Sequence, residues 1–100
     1  MPNREEIIAL LRQHYPHLAT QYGVRRIGLF GSYAHGESGE ASDVDLVVEF
    51  EHPIGFRFVE LAEYLENLLG RRVDLLTLAG VRGIRLPWVA AEIERSIIYV

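Results

Sequence analysis

At 100 residues, 49% of them apolar and 24% charged, the chain has the make-up of a single globular domain with its own core and not of a disordered segment. A formal net charge of -4 argues against a domain that coats nucleic acid, which needs a basic excess, and the absence of cysteine removes disulfide scaffolds, thiolate zinc sites and cysteine nucleophiles together. No apolar run approaches the roughly 18 to 20 residues that span a bilayer, and MPNREEII lacks a signal-peptide core, so the expectation is a soluble cytoplasmic protein.

Residues 3–15 predict a helix, with Asn3 as N-cap, Glu6 as its capping-box partner, and Ile7, Leu10, Leu11 and Tyr15 at helical spacing. Pro16 is expected to end it. VRRIGLF, residues 24–30, reads as a first strand that delivers the chain into Gly31-Ser32. A single helical turn over 32–35, closed by Gly36, should lead to the polar loop ESGEAS. Residues 43–49 predict a second strand whose Leu46-Val47-Val48 is apolar on both faces, as in a strand covered by other layers.

After a turn around His52-Pro53 and Gly55, residues Phe58, Leu61, Ala62, Leu65, Leu68 and Leu69 mark a second long helix stopped by Gly70, with Phe56, Phe58 and Tyr64 read as part of its core. RRVDLLTL then predicts a third strand with Asp74 among apolar residues. A glycine-containing connection with Arg82 and Arg85 follows, then a short helix starting at Pro87 with Trp88 as a packing residue. The closing SIIYV is β-like and suits either a strand of this domain or a contact with a partner. Nothing repeats and nothing resembles a linker, so the expectation is one domain over 1–100, α/β (α+β), with helices packed on a small mixed sheet. Strand order is left open.

The chemistry concentrates in GSYAHGESGEASDVDL, residues 31–46. On a strand, Asp43 and Asp45 leave the same face, where two like charges repel unless a cation lies between them. Asp74 on a separate strand, joined by a helix, completes a three-carboxylate set. Oxygen-only ligands of this kind suit magnesium, or manganese, far better than zinc. Two such ions, roughly 3.5 to 4 Å apart, would activate a hydroxyl and stabilise a leaving oxygen in phosphoryl displacement. Asp43 and Asp45 would bridge both; Asp74 would serve the nucleophile and take its proton if apolar neighbours raise its pKa. The Gly31-Ser32 turn would hold phosphates with its free N–H groups.

Blander readings stand beside these. A DxD alone is more often solvated than catalytic, and GSYAHG matches neither the dinucleotide glycine pattern nor a P-loop. His14 and His17 read as surface histidines, separated by the break at Pro16, and His35 fits a nucleotide contact and a surface position equally. Arg71, Arg72, Arg82 and Arg85 could wall a triphosphate or simply be solvated.

GS, ten residues, DVD, and VDLLT further on: this pattern resembles the minimal nucleotidyltransferases of the polymerase-beta-like superfamily, over nearly the whole chain. The resemblance implies that Gly31 and Ser32 bind nucleotide phosphate and that Asp43, Asp45 and Asp74 hold two magnesium ions. The short length is most similar to antitoxin-type members paired with a helical HEPN toxin. Those are understood to transfer AMP from ATP to a tyrosine near the toxin's RNase site and so silence it. Two other readings remain: an antitoxin that binds nucleotide without catalysis and masks its partner, or a nucleotidyltransferase acting on a small molecule or an RNA end.

Overall fold

A computed structural model describes residues 3–35 and 43–100, apart from the side chains of Ser32 and His35; the expected stop at Gly36 and the polar loop after it lie outside these residues. Asn3 opens the first helix as expected. Its side chain accepts from the Glu6 N–H at 2.9 Å while the Glu6 carboxylate accepts from the Asn3 N–H at 3.3 Å.

The helix, α1 (Arg4–Tyr22), does not stop at Pro16. It runs on to Gly23, whose φ of 68° and N–H bonds to Ala19 and Leu18 close it. Proline inside a helix costs about 3 kcal/mol. Continuing the helix buries Leu18 and Tyr22, at about 1.5 to 3 kcal/mol for each large side chain, so tertiary burial outweighs the local penalty. The last turn of α1 carries no basic residue of its own. Arg57, from a later helix, supplies one by donating to the Gln21 carbonyl at 2.5 Å with its guanidinium over the Tyr22 ring.

The remaining elements are β1 (Val24–Phe30), α2 (Gly31–His35), β2 (Val44–Phe50), α3 (Arg57–Leu69), β3 (Val73–Thr77), α4 (Leu78–Arg82), α5 (Pro87–Ser96) and β4 (Ile98–Tyr99). The sheet order is β3-β2-β1-β4. β2 and β3 are parallel, joined through α3, and the other pairs are antiparallel, so the sheet is mixed as expected. The segment carrying Arg82 is helical instead of an irregular connection, because Thr77 caps α4 by accepting from the Gly80 N–H at 2.9 Å.

Both faces of the sheet are covered. Leu46 and Val48 join a large core with Ile7, Leu11, Leu61 and Leu65 of α1 and α3. Val47 points the other way into a smaller core with Phe30, Leu78 and Val81, against which Ile93 and Ile97 pack. The apolar run 46–48 thus serves two cores by simple alternation.

Two expected core residues are outside. Phe56 is 97% exposed because it precedes the first turn of α3, off the stripe that Leu61 and Leu65 define. Trp88 is 67% exposed on the first turn of α5, whose inward residue is Ala90. No helix among the described residues is long and apolar enough to cross a membrane.

The C-terminal segment becomes an edge strand, β4. It crosses so closely that a Cβ on Gly28 would stand 2.5 Å from Ile97 Cγ2 and 3.2 Å from the Ile98 carbonyl oxygen. Gly28→Ala should therefore push the segment off β1 and destabilise the fold by about 1 to 3 kcal/mol, read from urea unfolding. Wild-type stability in that variant would show that the crossing yields without cost.

Candidate active site

The site is assembled by register. β1 ends at Phe30, which pairs with Asp45, and on its other side Asp45 pairs with Asp74 of β3. Asp43 stands two residues before Asp45, where the Val44 N–H still donates to the Arg72 carbonyl at 2.9 Å. Alternation sends Val44 and Leu46 into the large core and leaves Asp43, Asp45 and Val47 on the opposite face, with Asp74 and Leu76 beside them. Val47 lies under α4 and α5 and is buried; Asp45 is half-buried, and Asp43 and Asp74 are exposed. The aspartates thus mark the end of this face where its helical cover stops.

Gly31 turns the chain directly onto Asp45. Its φ is 73°, in the left-handed region, and a Cβ there would stand 2.1 Å from Asp45 Oδ2. Glycine is required on both counts. The five-residue helix α2 that follows is seated by Tyr33 and Ala34, 3% and 8% exposed, and by Arg4, whose Nη1 donates to the Ala34 carbonyl at 2.9 Å. Sequence reasoning passed over Arg4; the signal was a cation in the first turn of a helix, where the dipole disfavours it. The side chains of Ser32 and His35, expected to approach phosphate or nucleotide, lie outside the described ones.

The Asp45 carboxyl is held above its ordinary pKa, first by burial and then by the negative charges of Asp74 and Asp43. The desolvated carboxylate of the three is therefore Asp45 and not, as the apolar run suggested, Asp74. Val73 and Leu75 are apolar neighbours of Asp74 in sequence only, because both pack into the core on the far face. As they stand, no three His, Cys, Asp or Glu side chains among the described residues form a group that could hold a metal ion. The backbone brings the three aspartates to one corner, where Asp74 and Asp43 act on the charge of Asp45. Their oxygen-only chemistry, and the repulsion that raises Asp45, fit a hard divalent cation.

Other candidates resolve differently. Arg82 is ion-paired with Glu94 at 3.0 Å, bracing α4 to α5. Because α1 continues through Pro16, His14 and His17 share a face after all. His14 Nδ1 lies 2.7 Å from the Tyr64 hydroxyl and the His17 ring stacks on Tyr64. Both stand on the α1–α3 side of the sheet, opposite the aspartates.

Residues 6–99 match the nucleotidyltransferase domain family. The chain belongs to that family. It is 45% identical to protein adenylyltransferase MntA of Thermococcus cleftensis over 97 residues, 96% of this chain and 94% of the relative. Among solved structures, a chain described as a candidate minimal nucleotidyltransferase superposes with a TM-score of 0.74 at 35% identity, covering 97% of this chain and 95% of the other. A toxin–antitoxin structure with AMP-PNP gives a TM-score of 0.55 at 34% identity, covering 78% of this chain and 59% of that one. The fold is the polymerase-beta-like nucleotidyltransferase fold, with the expected small mixed sheet.

A carboxyl group with a raised pKa binds its proton more tightly in the folded chain than in the unfolded one, so ionised Asp45 subtracts from stability. That penalty is full above the raised pKa and fades as the pH falls toward the ordinary value of about 3.9. In chelator-containing buffer, Asp45→Asn should melt at a higher temperature than wild type at pH 7, with the gap closing toward pH 4. A gap that is absent, or that widens on acidification, would contradict the assigned cause.

Proposed function

We propose that this chain, as one minimal domain over residues 1–100, is a magnesium-dependent protein adenylyltransferase of the antitoxin type, moving AMP from ATP to a tyrosine of a HEPN-family RNase toxin and so neutralising it. The observation that carries this reading is the register that sets Asp45 beside Asp74 with the Gly31 turn packed against its carboxylate. A phosphate-sized turn and a set of carboxylates then face the same space. The adenylyltransferase name of a 45% identical relative and the AMP-PNP bound in a similar toxin–antitoxin structure support the nucleotide and the kind of acceptor.

Gly31 and Ser32 hold the phosphates of ATP through backbone N–H groups at the start of α2. Asp43, Asp45 and Asp74 hold magnesium, or manganese in its place, which when bound neutralises charge on the phosphates and the carboxylates alike. The tyrosine oxygen bonds to the α-phosphorus as the bond to pyrophosphate breaks, and the tyrosine proton passes to Asp74, which its exposure at the rim, and not a pKa raised by apolar neighbours, puts in reach of an acceptor from outside.

Incubation with labelled ATP, magnesium and the toxin should label the toxin and release pyrophosphate. Asp74→Ala should keep ATP affinity within about threefold while transfer falls by about 10²- to 10⁴-fold, the usual worth of a positioned proton acceptor. Wild-type chain that binds both ATP and toxin yet transfers no label would refute the enzyme; transfer retained by the variant would refute the role of Asp74.

The toxin–antitoxin structure similar to this chain also allows a second reading, an antitoxin that masks its partner with an idle nucleotide site. It requires Asp43→Ala/Asp45→Ala to neutralise the toxin as wild type does in a growth assay. Lost neutralisation with binding intact would reject it.

A further inference from the structure

Arg4 occupies the first position of α1, where the helix dipole presents positive charge and a cation is unfavourable. Its place is explained by what it reaches, the Ala34 carbonyl at 2.9 Å, thirty residues along the chain. Ala34 lies in the last turn of α2 and is 8% exposed. The last carbonyls of a helix have no intrahelical partner, and a cation is favoured at that end. Arg4 thus gives up electrostatic fit at its own helix and gains it at another. Glu5 Oε1 accepts from Nε and Nη2 of the same guanidinium at 3.4 and 3.3 Å, which turns Nη1 toward Ala34.

The opposite end of α2 is Gly31, where there is no room for even a methyl group between the turn and Asp45. A helix of five residues has little cooperative strength of its own, so its position is set by its ties. Among the described residues these include the packing of Tyr33 and Ala34 and the bond from Arg4 to the Ala34 carbonyl.

We infer that Arg4 is a positioning residue for the nucleotide site: by clamping the end of α2 it keeps the Gly31-Ser32 turn seated against Asp45 in the geometry that receives phosphate. This rests on the adenylyltransferase reading for its ligand, but the clamp itself can be measured without any activity.

The test compares the full chain with Arg4→Met, which keeps length but removes every donor, and Arg4→Lys, which retains the charge and a donating nitrogen. At a temperature where circular dichroism shows all three folded, amide exchange at residues 31–35 should be about tenfold faster in Arg4→Met, the size expected for loss of one charge-assisted hydrogen bond. KM for ATP should rise by about the same factor with kcat nearly unchanged, because the clamp orders the turn before chemistry. Arg4→Lys should recover most of both. A merely structural role would lower the melting temperature and leave KM and exchange at residues 31–35 untouched under folded conditions, and that result would overturn the inference. Faster exchange with wild-type KM would overturn the positioning role equally. If the wild-type chain binds no ATP at all, the adenylyltransferase reading fails, and wild-type exchange in Arg4→Met would then separately refute the clamp.

Discussion

The aspartate corner depends on the seat of β2 between β1 and β3, whose register the burial of its middle residues secures. Leu46 and Val48 enter one core and Val47 the other, and a slide by one residue would drive Asp45 into the large core at the place of Val44 or Leu46. The same lock fixes Asp45 opposite Asp74 on one side and Phe30 on the other. Placement of the chemistry is thus a by-product of packing some residues away. The site needs no stability of its own, and Asp45, held above its normal pKa by burial and by its neighbours, shows that it has a cost.

The two faces of the sheet divide the labour. α1 and α3 form the larger core and hold the aromatic seam of His14, His17, Tyr22 and Tyr64, well away from the carboxylates. α4 and α5 cover the other face incompletely, and the carboxylates occupy the end they leave open. A catalyst acting on a group carried by another protein needs such an open end, since the acceptor must approach from outside. A deep pocket would exclude it.

Small residues do the close work. Gly28 admits the C-terminal segment across β1, and Gly31 admits the Asp45 carboxylate against the turn. Arg4 and Arg57 share a pattern of their own, each a cation from one helix serving the carbonyl end of another. Such ties join elements far apart in the chain, which local propensity alone does not connect.

The sequence by itself determined most of the elements and the family. Alternation and periodicity placed β1, β2, β3 and α3 within a residue or two, the Asn3–Glu6 pair marked the start of α1, and the spacing from GS through DVD to VDLLT named the family. These were legible because they are local, each a matter of side chains a few residues apart. Tertiary structure alone decided what depends on distant partners. Pro16 is absorbed into α1 because Leu18 and Tyr22 find a core beyond it. Phe56 and Trp88 fall outside because their helices turn other faces inward. Asp74 looked desolvated from its neighbours, but Val73 and Leu75 leave by the opposite face, and the carboxylate that partial burial perturbs is Asp45. A carboxylate's surroundings are set by strand register and by the faces that helices cover, and neither is written in the residues adjacent to it.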